Sequence, residues 1–242
     1  MVFREVTEAI WECRLFGDEY RNMTYQLPPI ESIWDAENSF YLQSPPSRLA
    51  KLLCHYELFK MISGIPGAII ECGVYKGASL MRFAQFRSYL ENDDSRKIVG
   101  FDAFGEFPKE NLSLANDVRL IDKFEGDGGF GISKEDLESC LAKKSITNVF
   151  LHEGNVFDTV PKFLDENPQC KISLLHLDMD VYEPTKRCFE LLFKRMVKGG
   201  LIVVDDYNAV EGATRATDEF IAKENLSVEK LPFYNIPSFI RV

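Results

Sequence analysis

The chain has 242 residues, with 28 Lys and Arg against 38 Asp and Glu and a formal net charge of −10. That length suits one large α/β domain with a substantial core. The acidic balance argues against nucleic acid and against an anionic membrane surface, since both require clustered Lys and Arg; otherwise it only favours solubility.

Residues 1–46 are irregular and aromatic, with Trp11, Tyr20, Tyr25, Trp34, Phe40 and Tyr41 and several prolines. They read as a helix followed by loops lying against something, either an acceptor site or a second copy of the chain. Arg4, Glu5, Glu8, Glu12 and Arg14 leave no apolar signal core. No apolar run is long enough to span a bilayer. Cys13, Cys54, Cys72, Cys140, Cys170 and Cys188 are scattered without zinc spacing, as expected of free thiols in a reducing compartment. A cytoplasmic location is expected, with a single catalytic domain over 47–242 behind the N-terminal segment 1–46.

From Ser47 the pattern becomes regular. Leu49, Leu52, Leu53, Tyr56 and Phe59 predict the apolar face of a helix capped by Ser47 and stopped by Gly64 and Pro66. A buried strand over 68–72, a helix over 77–89 and a strand over 97–102 follow. Residues 103–133, with Asp127-Gly-Gly-Phe-Gly-Ile, read as a long loop, either a lid or disordered. Next come a helix over 133–143, a strand over 148–152 and a short helix over 158–166. The apolar run 171–178 suits a central parallel strand. The next helix carries Pro184 in its first turn and presents Phe189, Leu192, Phe193 and Met196. Gly199-Gly200 are expected to turn the chain into a strand over 201–205. A helix over 210–223 and a hairpin of strands 227–231 and 238–242 close the chain.

Five β-α units and a hairpin predict an α/β fold: a doubly wound, mostly parallel seven-stranded sheet with an antiparallel last strand. That Rossmann-like arrangement is associated with class I methyltransferases. Ligands of such sheets sit beyond the carboxyl ends of the strands. The first strand ends in Glu71-Cys-Gly73-Val-Tyr-Lys-Gly77-Ala-Ser79. This fits a dinucleotide fingerprint poorly and suits an amino-acid carboxylate better, with Ser79 as a donor; alone it is equally a tight turn. Asp102 is placed to accept ribose hydroxyls, the alternative being a turn cap. Gly154 and Asn155 would lie beside a base, or form a plain turn. Asp178 and Asp180 at one strand end, and Asp205 and Asp206 at the next, would converge. Like charges that close repel, and a hard cation such as Mg²⁺ or Mn²⁺ relieves the conflict, although each Asp alone reads as a helix cap. His176 reads as a core histidine, and no hydrolase triad is visible.

Glu71-Cys-Gly-Val-Tyr-Lys-Gly77, Leu177-Asp-Met-Asp-Val-Tyr-Glu-Pro-Thr185 and Gly199-Gly-Leu-Ile-Val-Val-Asp-Asp-Tyr207 together resemble the macrocin O-methyltransferase (TylF) family. The resemblance runs over 47–242. It implies methylation of sugar hydroxyls on natural products with S-adenosylmethionine and Mg²⁺. Asp178, Asp205 and Asp206 would hold the metal and Asp180 would be the general base. Glu71, Gly73, Val74, Tyr75, Gly77, Ser79, Asp102, Ala103, Gly154, Asn155 and Asp178 would surround the cofactor. Tyr182 and Tyr207 would face a small sugar-containing acceptor, and a homo-oligomer is expected. The stretch Asp102-Ala-Phe-Gly-Glu-Phe-Pro108 departs from the family pattern. Two rival readings are a sugar-nucleotide glycosyltransferase using Asp178-Met-Asp180 as a D-x-D motif, and a binding module without catalysis. The first leaves Asp205, Asp206 and the glycine turn without jobs.

Overall fold

A computed structural model describes residues 32–242. The aromatic residues Trp11, Tyr20 and Tyr25 lie outside them. The elements in order are α1 (Ile33–Gln43), α2 (Pro46–Ile62), β1 (Ala68–Cys72), α3 (Ala78–Leu90), β2 (Ile98–Asp102), α4 (Ala115–Gly128), α5 (Lys134–Lys143), β3 (Val149–Glu153), α6 (Val156–Glu166), β4 (Ile172–Leu177), α7 (Tyr182–Leu192), β5 (Met196–Val204), α8 (Glu211–Glu224), β6 (Val228–Leu231) and β7 (Tyr234–Arg241). The strands form one seven-stranded sheet in the order β3-β2-β1-β4-β5-β7-β6. Strands β1 to β5 are parallel, and β7 runs antiparallel to both β5 and β6. This is the expected class I methyltransferase topology, and its switch point lies between β1 and β4.

Every residue of β1 and β4 is buried, because successive side chains point to opposite faces and helices cover both. Ile69, Leu174 and Leu201 pack on one face with Leu58 and Phe59 of α2 and Leu80 and Phe83 of α3. Ile70, Leu175 and Ile202 pack on the other with Val160, Phe163, Phe189 and Phe220 of α6, α7 and α8. Each such side chain contributes about 1.5–3 kcal/mol by leaving water. No helix among the described residues is long and apolar enough to cross a membrane. The described cysteines are free thiols, with Cys54, Cys72 and Cys188 buried.

The structure corrects several expected boundaries. Residues 103–133 contain the helix α4, concealed in the sequence by Gly126 and Gly128 near its end and by a largely polar composition. Tertiary contacts hold it: buried Asp117 accepts the Tyr182 amide at 2.8 Å, and Glu125 accepts the Phe107 amide at 2.6 Å. The buried face of α2 is Cys54, His55, Leu58, Phe59 and Ile62, whereas Leu49 and Leu53 are 38% and 44% exposed. The first turns of α2 overhang the strand ends rather than the sheet, so only its later turns meet the core. Strand β5 begins at Met196, so Gly199 and Gly200 lie inside it. A Cβ on Gly200 would come within 2.9 Å of the Ser173 carbonyl oxygen, so close strand approach demands glycine there. Helix α7 ends at Leu192, and Met196 therefore belongs to β5. Strand β7 starts at Tyr234, which leaves a shorter hairpin turn than expected. Residues 33–43, expected as loop, form α1, none of whose residues is buried.

Candidate active site

Strand register brings the acidic residues together. The Asp178 amide donates to the Cys72 carbonyl at 2.9 Å, and the Asp205 amide donates to the Leu177 carbonyl at 3.0 Å. The ends of β1, β4 and β5 are therefore level, and residues distant in sequence share one small volume. Carboxylate oxygens of Asp178, Asp205 and Asp206 lie within 4.8 Å of one another. Asp180, two residues beyond Asp178, has φ 61°, a left-handed conformation that Asp tolerates better than most residues. Its carbonyl accepts the Ala213 amide at 3.1 Å, so α8 holds the turn in place.

A cavity of about 380 Å³ opens at these strand ends. Gly73, Val74, Tyr75, Ser79, Asp102, Ala103, Gly154, Asn155, Asp178, Asp180, Asp205 and Asp206 all line it. Glu71 and Gly77 do not. Gly77 is the left-handed cap of α3, and Glu71 is fully buried beneath the strand ends. Tyr182 and Tyr207 are also absent from the lining. Tyr182 donates its hydroxyl to Glu219 at 2.6 Å and lies under the Arg215 guanidinium, while Tyr207 donates to Asp218 at 2.9 Å. Both hydroxyls are thus engaged with α8.

Asp102 is largely occupied by its own backbone environment. One oxygen accepts the amides of Val74 and Tyr75 at 2.7 and 2.9 Å, and the other accepts the Phe104 amide at 2.7 Å. The carboxylate stitches the glycine turn to the end of β2, with one lone pair left on the Phe104-bonded oxygen. Burial raises its pKa despite these three amides. Asn155 caps α6 by accepting the Phe157 amide and donates from its own amide to Glu110 and Asn111. Helix α4 roofs the cavity with Ile121, Phe124 and Glu125. It is pinned to the glycine turn: the Tyr75 hydroxyl donates to Gly128 at 2.9 Å, and the Ile132 amide donates to the Tyr75 carbonyl at 2.9 Å.

The acidic cluster is under electrostatic stress. Burial, and then neighbouring Asp205, push the Asp178 pKa up to about 8. Burial likewise raises Asp180 and Asp206; Asp206 is raised further by Asp180, Asp205 and Asp178, while for Asp180 the repulsion of Asp205 adds to burial and a hydrogen bond with Asp206 offsets part of it. The Oδ2 atom of Asp206 is buried without a hydrogen-bond partner. Asp205 behaves oppositely. Burial opposes its charge, but Lys51, His176 and His55 hold its carboxyl well below the usual range. Lys51 pairs with Asp205 Oδ2 and lies 4.0 Å from Asp178. Its ammonium supplies the positive charge that the cluster demands. Clustered carboxylates with an orphaned oxygen are a donor set that hard divalent cations take.

Beneath the cluster lies a buried polar chain. His176 Nδ1 is 2.8 Å from Glu71 Oε1, and its Nε2 is 3.4 Å from Asp205 Oδ1. Burial disfavours charge on this ring, but the hydrogen bonds to Asp205 and Glu71 outweigh it and raise its pKa to about 10. His55 Nε2 is 3.8 Å from the same Asp205 oxygen. Burial lowers its pKa to about 3, which keeps the ring neutral.

Sequence reasoning missed Lys51, Arg48 and Arg82, which also line the cavity. Their signal is helical spacing: Arg48 and Lys51 share a face at the start of α2, and Arg82 lies one turn beyond Ser79.

The chain is 25% identical over 173 residues to 8-demethyl-8-(2,3-dimethoxy-alpha-L-rhamnosyl)-tetracenomycin-C 4'-O-methyltransferase of Streptomyces olivaceus, covering 69% of this chain and 62% of that protein. It is 25% identical over 171 residues to demethyldecarbamoylnovobiocin O-methyltransferase of Streptomyces niveus, covering 69% and 63%. The matches thus span less than two thirds of both relatives. The crystal structure of CalS11, a calicheamicin methyltransferase, superposes with a TM-score of 0.72 at 27% identity, covering 99% of this chain and 90% of that one. The apo structure of CalS11, a TDP-rhamnose 3'-O-methyltransferase, gives 0.64 at 27% identity, covering 89% and 87%. Residues 47–236 match the macrocin-O-methyltransferase (TylF) family model, and the chain belongs to that family.

Proposed function

We propose that this chain is an S-adenosylmethionine- and divalent-cation-dependent O-methyltransferase acting on a sugar hydroxyl. The observation that carries this reading is the meeting of Asp178, Asp180, Asp205 and Asp206 on one wall of a cavity whose other wall is the glycine turn. Family membership supports the reaction class. CalS11, which acts on TDP-rhamnose, and the tetracenomycin enzyme, which acts on a rhamnosyl group, support a deoxysugar acceptor. Arg48 and Arg82 line the cavity without a hydrogen-bond or ion-pair partner among the described residues. Two guanidinium groups unpaired among the described residues favour an acceptor that carries anionic oxygens, as a nucleoside diphosphate sugar does.

Asp178, Asp205 and Asp206 would hold a divalent cation, Mg²⁺ or Mn²⁺, which would acidify the acceptor hydroxyl, and S-adenosylmethionine would supply an electrophilic methyl carbon. Asp180 would take the proton of the acceptor hydroxyl. Ser79 and the first turn of α3 receive the amino-acid carboxylate of the donor. Val74, Tyr75, Ala103, Gly154 and Asn155 wall the nucleoside, and the free lone pair of Asp102 accepts from the ribose. Helix α4 excludes water above the reacting atoms. Residues 47–242 carry these groups; residues 1–31 of the N-terminal segment lie outside the described residues. Tyr182 and Tyr207 reach the acceptor only if their bonds to α8 are exchanged.

The deciding experiment is an acceptor screen by mass spectrometry with isotopically labelled methyl donor. Nucleotide-linked deoxysugars and glycosylated natural products are offered with Mg²⁺ or with excess chelator. Methyl transfer to a sugar that chelator abolishes is the expected result. Calorimetric binding of uridine or thymidine sugar diphosphates as donors, with none of S-adenosylhomocysteine, would favour the glycosyltransferase instead.

A further inference from the structure

Glu71 stands in the motif that most suggests donor binding, yet its side chain is fully buried and does not reach the cavity. Register explains where it goes. Glu71 is paired with His176 across β1 and β4, and His176 is paired with Val203, two residues before Asp205, across β4 and β5. The three side chains form a continuous line under the strand ends, with contacts of 2.8 Å and 3.4 Å. The line ends on Oδ1 of Asp205, while Oδ2 of the same carboxylate faces Lys51 and the cavity. His55 closes the remaining side of Oδ1, with its ring stacked on Phe83 and set edge-on to His176.

We propose that Glu71 and His176 are positioning residues which fix the rotation of Asp205, so that one oxygen is held inward and the other is presented to the cation. This rests on the cation reading of the acidic cluster given above. A carboxylate with neither oxygen fixed rotates about its last torsion and presents either atom. A buried brace on one oxygen removes that freedom before any ligand arrives, which is how outer-shell partners tune ligand groups. The charged acceptor Glu71 holds the imidazole ring more firmly than a neutral one would.

A purely structural role explains the arrangement less well. Glu71 Oε2 and both ring nitrogens of His55 are buried without hydrogen-bond partners. Such a partly satisfied network costs stability relative to apolar residues of similar volume. Nothing in the packing of β1 against β4 requires it, since the flanking residues Ile70, Cys72, Leu175 and Leu177 are all apolar. The network terminates only at Asp205.

The test is Mn²⁺ binding, followed by electron paramagnetic resonance, alongside calorimetric binding of S-adenosylhomocysteine. Glu71→Gln keeps volume and an acceptor oxygen. His176→Gln is a second variant, because one amide cannot span both carboxylates. Circular dichroism verifies the fold of each, and either folded variant suffices. The expected result is a rise of about 10–100-fold in the Mn²⁺ dissociation constant with S-adenosylhomocysteine affinity within twofold of wild type. An unchanged Mn²⁺ constant in a folded variant overturns the proposal. So does weakened S-adenosylhomocysteine binding with Mn²⁺ unaffected, which would return Glu71 to the donor. Failure of the wild type to bind Mn²⁺, or undiminished binding by Asp178→Asn, would instead overturn the cation reading and the brace with it.

Discussion

A Cβ placed on Gly73 would lie 1.8 Å from the carbonyl oxygen of Asp178. The glycine at the end of β1 is therefore what lets β4 deliver its first acidic residue level with the turn. Its φ of +90° adds a second reason for glycine. We predict that Gly73→Ala costs about 3 kcal/mol in urea unfolding, from strained backbone and overpacking together. The same variant loses Mn²⁺ binding even where it remains folded. Wild-type cation affinity in Gly73→Ala would show that β4 can yield without moving the site.

Asp178 sets the pH dependence of cation binding. With its pKa near 8, it carries a proton at neutral pH when no cation is present. A cation must displace that proton, so affinity is weakest at low pH and strengthens as pH rises towards 8. The expected slope is at least about tenfold per pH unit between pH 6 and 7.5, with one or more protons released per ion bound, because Asp206 is raised as well. Isothermal titration in buffers of differing ionisation enthalpy measures both. A flat profile across that window would remove Asp178 from the ligand set.

Asp180 separates chemistry from binding. Asp180→Asn retains the cavity wall and the left-handed turn, which Asn also tolerates. S-adenosylhomocysteine and Mn²⁺ affinities should stay within a few-fold of wild type, while the single-turnover rate falls by about 10²–10⁴. An unaltered single-turnover rate would mean that another group takes the proton.

Lys51 occupies the position that a cation would share. Lys51→Met removes the partner of Asp205 Oδ2 and the nearest positive charge to Asp178. In chelator the variant should melt several degrees below wild type, because a buried carboxylate loses its counter-charge. Added Mg²⁺ should then raise its melting temperature more than it raises that of wild type, since no ammonium competes. Equal Mg²⁺-induced shifts in the two proteins would place Lys51 outside the cation's reach.

The fold was largely legible because its signals are local. The apolar runs Ala68–Cys72 and Ile172–Leu177, and the alternation of such runs with helical patterns, depend only on neighbours in sequence. The acidic strand ends were legible for the same reason: Asp178 and Asp205 each follow an apolar run directly. Helix α4 was not legible, because buried Asp117 and Glu125 stabilise it through the amides of Tyr182, 65 residues away, and of Phe107 in the preceding turn, contacts that no helical periodicity reports. The exposed leucines of α2 were misassigned because periodicity names a face but not what that face meets.

The sequence by itself determined that strands ending in acids would alternate with helices around a ligand crevice. Tertiary structure decided which acid faces which neighbour. Hydrogen-bonded register between β1, β4 and β5 put Glu71, His176 and Asp205 on one face, with Lys51 against the far oxygen of Asp205. Side-chain direction alternates along a strand, but its partner is set by a pairing with another strand far away in the chain, and no local pattern encodes that pairing.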